Sequence, residues 1–274
     1  MEIMKFRNTT SLIIIKLLVF MLFAIQLFAE DFQLKTFEQY RKAAEQGDAI
    51  AQCKLGLFYE KGIGVAKTPD EAVKWFRKAA EKGDAKAQFY LGHCYTTGEY
   101  MERNPSEAVK WYRKAAEQGN QKAQYNLGFC YANGEGVTKD NVEATKWCLK
   151  AAEQGDGEAQ CTLGWRYAKG DGVTQDSVKS VKWFRKAAEQ GNVAAEFCLG
   201  VYYAVGEGLA KDPVEAVQLY RKAAEQGDAK AQHSLGCCYA MGENIERNPI
   251  EGVKWYRKAA EQGNAKAQNS LGVS

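Results

Sequence analysis

The sequence predicts an all-α solenoid assembled from 36-residue helix pairs, and three observations carry that prediction. A Leu-Gly pair recurs at Leu55, Leu91, Leu127, Leu163, Leu199, Leu235 and Leu271, always 36 residues apart. A single glycine recurs at the same step, at Gly47, Gly83, Gly119, Gly155, Gly191, Gly227 and Gly263. Between these marks the apolar residues follow helical spacing. An undrifting period of this length describes supersecondary units that bury their apolar faces only by stacking on their neighbours.

Residues 1–29 stand outside the array. Lys5, Arg7 and Lys16 precede an apolar run from Leu17 to Ala29, and Glu30 and Asp31 follow it. A basic start, about a dozen apolar residues and a small residue before a polar stretch predict a secretory signal, and hence an exported array, periplasmic or secreted. The run is short against the roughly 20 residues of a membrane span. Left uncleaved, it would tether the array to a membrane.

The array proper opens with a helix over 30–47 that lacks a preceding partner. Phe37, Tyr40, Ala43 and Ala44 keep the register of Val73, Phe76, Ala79 and Ala80, and Gln39 stands where later copies place Trp75 and Trp111. Losing an apolar anchor suits a capping helix with one neighbour fewer. Six complete units follow, over 48–83, 84–119, 120–155, 156–191, 192–227 and 228–263, and a truncated half repeat covers 264–274. Each unit starts with Asp or Asn after the glycine, at Asp48, Asp84, Asn120, Asp156, Asn192 and Asp228. Such side chains accept the orphan amides of a first helical turn, while the glycine supplies the left-handed cap of the helix before.

The first helix of each unit, helix A, ends at Gly62, Gly98, Gly134, Gly170, Gly206 or Gly242. A loop with one apolar anchor (Val65, Met101, Val137, Val173, Leu209, Ile245) leads to helix B. Thr68, Asn104, Asp140, Asp176, Asp212 and Asn248 are its caps. All four prolines of the chain, Pro69, Pro105, Pro213 and Pro249, occupy the next position, where a missing amide hydrogen costs nothing. Glu71, Glu107, Glu143, Glu215 and Glu251 then complete a capping-box pattern.

The strings A-Q-x-x-L-G-x-x-Y-x-x-G-x-G-V and A-V-K-W-Y-R-K-A-A-E-Q-G, repeated over about 32–274, resemble the Sel1-like repeat, a tetratricopeptide-like α/α class. The resemblance implies a right-handed superhelix with the A helices on its concave side. It also implies an adaptor that binds other proteins in secretion, envelope or host-contact settings.

Comparing the copies separates scaffold from candidate surface. Ala87, Leu91 and Tyr95 are spaced by four and share one helix face, as do their equivalents, so the tyrosine stripe (Tyr59, Tyr95, Tyr131, Tyr167, Tyr203, Tyr239) reads as core. The helix B tryptophans read the same way. The variable positions lie one and two before, and two and three after, the leucine. They carry Phe89, Tyr90, His93, Tyr125, Phe129, Trp165, Arg166, Phe197, Tyr202 and His233. Aromatic residues with an arginine among them are the composition of a protein-binding surface. Those three after the leucine also fit an inter-repeat core.

Other chemistry is poorly signalled. With 37 basic and 34 acidic residues the chain offers no field for a polyanion, so no nucleic-acid partner is expected. The GxG strings at Gly62–Gly64, Gly134–Gly136, Gly170–Gly172 and Gly206–Gly208 follow a helix and precede a loop, the reverse of a phosphate cradle, and read as turns. His93 and His233 belong to different repeats, so no metal set is expected, and no nucleophile–base signature or cofactor motif appears. Some exported relatives of this repeat pair cysteines within each hairpin and are β-lactamase-like. The eight cysteines here do not follow that spacing. Most read as small buried residues. Cys148 and Cys161, placed about symmetrically around Gly155, are the one candidate bridge. The prediction is a monomeric, exported, non-enzymatic scaffold that binds a peptide or protein segment. A cell-wall or β-lactam hydrolase and a membrane-tethered organiser are its rivals.

Overall fold

The computed structural model of the chain describes residues 32–272, so the predicted signal lies outside the described residues. Fourteen helices and no strand occupy them. Helix α1 covers 32–45. It is followed by α2 (Ala49–Lys61), α3 (Pro69–Glu81), α4 (Ala85–Thr97), α5 (Pro105–Glu117), α6 (Gln121–Asn133) and α7 (Asn141–Glu153). Then come α8 (Gly157–Lys169), α9 (Ser177–Glu189), α10 (Val193–Val205), α11 (Pro213–Glu225), α12 (Ala229–Met241), α13 (Pro249–Glu261) and the short α14 (Ala265–Gly272). The described residues divide into two compact units, one ending at Asn120 and the other starting at Gln121, and each is taken by itself below. None of the described helices is long and apolar enough to cross a membrane.

The local signals act as read. Asp84 Oδ1 accepts from the Ala87 amide at 2.7 Å, and Asp48, Asp156, Asn192 and Asp228 cap their helices in the same way. At the break between α7 and α8, Gly155 has φ 96°. There the Gly155 amide donates to Ala152 O and the Asp156 amide to Ala151 O, both at 3.1 Å, which satisfies the carbonyls the ending helix would leave orphaned.

One expectation fails in detail. Among the described residues the glutamates of the capping-box pattern do not reach back to the cap. Glu71, Glu107, Glu143 and Glu251 instead pair with Lys74, Lys110, Lys146 and Lys254, three residues on, at 2.5–2.8 Å. The amide they would reach is already taken, since Thr68, Asn104, Asp140 and Asn248 each donate theirs to the carbonyl of Tyr59, Tyr95, Tyr131 or Tyr239 at 2.8–2.9 Å, which leaves the carboxylate to the ammonium one turn away. Thr68 likewise makes no side-chain cap, because its hydroxyl donates to Ala66 O at 3.0 Å.

In the first unit the core is Leu55, Ala72, Phe76, Ala79, Ala87, Leu91 and Tyr112. In the second, Leu127, Leu163, Phe184, Ala195, Ala223 and Leu235 are buried. The glycine after the leucine makes room for a ring. A Cβ on Gly92 would lie 2.7 Å from the Tyr112 ring, and one on Gly164 or Gly236 as close to Phe184 or Tyr256. The large ring of helix B therefore packs against helix A where no side chain stands. The tyrosine stripe edges this core, half-buried, and Tyr95, Tyr203 and Tyr239 each accept a hydrogen bond from Arg77, Arg185 or Arg221 at 3.1 Å. The five helix B tryptophans are buried or half-buried, and a lysine three residues on covers each of Trp75, Trp111, Trp147, Trp183 and Trp255 at 3.9–4.5 Å from the ring centroid.

A buried glutamine joins the repeats. Gln88 Nε2 donates to Ala80 O at 3.2 Å, while its Oε1 accepts from Gln118 Nε2 at 2.7 Å. Gln160 repeats this with Ala152 and Gln190, and Gln232 with Ala224 and Gln262. In α10 the same place holds Glu196, wholly buried.

Candidate protein-binding face

In the first unit, helix α4 brings Phe89, Tyr90 and His93 together. Phe89 lies edge-on to Tyr90 with centroids 5.3 Å apart, and tilted to His93 at 6.3 Å. The helical spacing of one and four dictates this grouping. Tyr90 also stacks on the buried Phe76 at 5.0 Å, so half of its ring belongs to the core and burial raises its phenol. His93 is exposed and Phe89 half-buried. This is a small aromatic ridge rather than a cleft.

The second unit holds a true depression. Trp165 and Phe184 meet edge to face at 5.6 Å. Trp165 is still 42% exposed, which is far from a buried tryptophan's usual state. Together with Phe197, Cys198, Val201, Tyr202, Val205 and the one charged residue, Glu207, it lines a cavity of about 210 Å³ whose walls are mostly apolar. Tyr202 is fixed there: Ser180 donates to Gly164 O at 2.8 Å, so the Tyr202 hydroxyl, 3.0 Å away, donates to Ser180. Phe197 leans on Tyr220 at 5.8 Å and shares its other side with a second cavity of about 430 Å³, lined by Lys230, His233, Ser234, Asn264 and Lys266. An apolar slot thus adjoins a cationic one across a single phenylalanine.

The remaining predicted residues fall elsewhere. Phe129 is 53% exposed on α6, and Tyr125 is half-buried with its hydroxyl 3.4 Å from Thr162. Arg166 does not belong to an exposed face at all, being only 8% exposed. Its Nη1 donates to Thr145 Oγ1 at 3.2 Å, with Asp171 O at 3.4 Å and Asn141 O at 3.5 Å. The position three after the leucine turns into the helix pair, as the buried Cys94, Cys130 and Cys238 of the same register also show.

The candidate bridge is corrected too, since Cys148 and Cys161 are both free thiols. Cys148 Sγ donates to Ala159 O at 3.2 Å, whereas Cys161 packs among Val181, Phe184 and Cys198. The two side chains leave the hairpin into different clusters, and desolvation pushes their thiols up to about 12 and about 11.

Two features went unnoticed in the sequence. Val201 and Val205 wall the apolar slot, at two and six after the leucine of α10; Val201 is an aliphatic in a register that also holds Phe129 and Trp165, and Val205 stands where other copies have Lys61, Thr97, Asn133 and Lys169. Cys237 and His233, four apart on α12, lie with Sγ 3.7 Å from Nε2. That spacing was visible; reading the cysteines collectively as core hid it. Among the described residues no three His, Cys, Asp or Glu side chains are placed to hold a metal ion.

Comparison with known proteins agrees with this architecture. The family model described as Sel1 repeat matches residues 37–48, 49–84, 85–120, 121–156, 157–192, 193–228 and 229–264. A Sel1 repeat protein from Oxalobacter formigenes is 36% identical, with a TM-score of 0.74, over 86% of this chain and 94% of that one. A protective antigen present in uropathogenic Escherichia coli strains, displaying an SLR fold, is also 36% identical, with a TM-score of 0.62 over 86% of this chain. This chain spans 58% of that protein's length. No curated protein matches the chain.

Proposed function

Because the chain belongs to the Sel1 repeat family, whose fold serves as a scaffold for protein–protein interaction, we propose that it is a non-enzymatic adaptor holding a short segment of another protein. The segment lies on the helix A residues of the second unit. The observation that carries this reading is the pair of adjoining slots at Phe197. One is apolar and walled by Trp165, Val201, Tyr202 and Val205; the other presents Lys230 and Lys266. A segment with a large apolar side chain followed by one or two carboxylates would fill both. Burying the apolar anchor supplies most of the affinity, and the lysines set orientation and encounter rate. The basic start and apolar run of residues 1–29 support export, so the partner would be met outside the cytoplasm.

The test is selection of displayed random peptides on the purified full chain and on a Trp165→Ala/Phe197→Ala variant. The expected result is enrichment of apolar–acidic sequences on the wild type alone, with both proteins equally helical by circular dichroism. Equal enrichment on the folded variant would place binding elsewhere.

A further inference from the structure

Seven of the eight cysteines are buried, and desolvation leads the causes that push each thiol up to about 11 or 12. A thiol in that state is a poor nucleophile at neutral pH. Cys237 differs in three respects. It is half-buried rather than buried. It lines a cavity of about 560 Å³ together with Tyr220, His233, Cys238, Lys211 and Glu243. And His233 Nε2, one helical turn back, lies 3.7 Å from its sulfur.

We propose that Cys237 and His233 form a thiol–imidazole pair that opens small organic disulfides, making Cys237 a site of mixed-disulfide formation. The thiol proton of Cys237 passes to His233 Nε2. The sulfur then attacks one sulfur of the reagent, forming a new S–S bond as the old one breaks, and the departing thiolate takes the proton back from the imidazolium. One disulfide and one thiol are consumed and one disulfide and one thiol are formed, so no further oxidant is needed.

The surroundings of the imidazole keep its Nε2 lone pair open to the thiol, while weakening it as a base. Burial, and then the nearby Lys266 ammonium, lower its proton affinity, so the ring is neutral at neutral pH. The other groups facing it are Tyr256 from α13, with ring centroids 5.6 Å apart, Ser270 from α14, and Lys230 in the cavity they share. Ser270, 3.5 Å from Nε2, donates its own proton to Lys266 O at 3.0 Å, so it does not compete with the thiol as a donor to that nitrogen. Burial first, and then the neighbouring Cys237 sulfur, push the Tyr256 phenol up, so it stays protonated beside the thiol.

The experiment treats the folded full chain with an aromatic disulfide that releases a coloured thiolate, followed by peptide mapping. The expected result is one rapid equivalent per chain with the adduct on Cys237, and reaction of the other seven thiols only after denaturation. Cys237→Ser should remove the rapid phase. His233→Gln should slow it at least about tenfold at neutral pH, a modest share of what a well-placed general base provides. If His233→Gln does not fold, the wild-type profile decides, because an assisted thiol keeps a rate plateau below neutral pH. An unassisted one falls about tenfold per pH unit as its thiolate fraction falls. Rapid reaction at another cysteine, no rapid phase, an unchanged rate in folded His233→Gln, or the unassisted profile would each overturn the proposal.

Discussion

Gln226 donates to the wholly buried carboxylate of Glu196 at 2.7 Å, in the place where other repeats pair two glutamines. A carboxylate cannot make the second bond of those glutamines, from Nε2 to the carbonyl eight residues back. The Lys222 ammonium comes within 2.7 Å of Oε1 as an ion pair, although it lacks hydrogen-bond alignment and is itself mostly exposed. A buried charge compensated from the surface contributes little net stability.

Glu196→Gln is therefore expected to stabilise the protein by about 1 kcal/mol, by restoring a bond to Ala188 O and removing a buried charge. Urea unfolding monitored by circular dichroism measures this. A variant less stable than the wild type would show that the Lys222 pair outweighs both gains.

Gly172 has φ 70°, and a Cβ there would lie 1.9 Å from the Asn141 carbonyl oxygen. Torsion and collision act together, with a backbone atom that cannot step aside. Gly172→Ala should cost more than about 3 kcal/mol, visible as a lowered denaturation midpoint. A loss below about 1 kcal/mol would mean that the loop re-forms freely.

Arg166 lies buried with its Nε unpartnered and its Nη1 held by a hydroxyl and carbonyls. Arg166→Met keeps the volume and removes the charge, so stability should change by less than about 1 kcal/mol or rise. Peptide binding should be unaltered, in contrast to Trp165→Ala. A selective loss of binding in Arg166→Met would return the arginine to the recognition surface.

Lys230 and Lys266 should act mainly through charge. Their double replacement by Gln should weaken capture of an acidic peptide several-fold and remove most of its salt dependence, while an uncharged apolar peptide binds as before. Titration at two ionic strengths separates these outcomes.

The helices, breaks and caps were legible because each is decided within a few residues: an Asp one residue after a glycine, a proline at the first helical position, an apolar face spaced by three and four. The site was legible only in part. Trp165 and Phe197 stood out as aromatics in a variable register. Arg166 misled because charge suggests exposure, whereas at three after the leucine Cys94, Cys130, Arg166 and Cys238 are all buried, and only the larger Phe58 and Tyr202 stay half-buried. Glu196 gave a signal that composition alone conceals, being one carboxylate in a column of glutamines at 52, 88, 124, 160, 232 and 268. The capping glutamates were misassigned because the amide each would cap donates instead to a tyrosine carbonyl of helix A, nine residues back, which the local pattern does not show.

The glycines between successive repeats have one more implication. At Gly83, Gly119, Gly155, Gly191, Gly227 and Gly263 an added methyl would meet nothing within 4 Å, while φ lies between 80° and 99°. Only the sign of a torsion excludes other residues there. One alanine, introduced at each of these positions in turn, is thus the same perturbation applied six times. Any difference among the six melting curves reports where in the array the lesion sits rather than what it is. The chain carries its own replicate series, an internal calibration of how far a local loss of stability propagates.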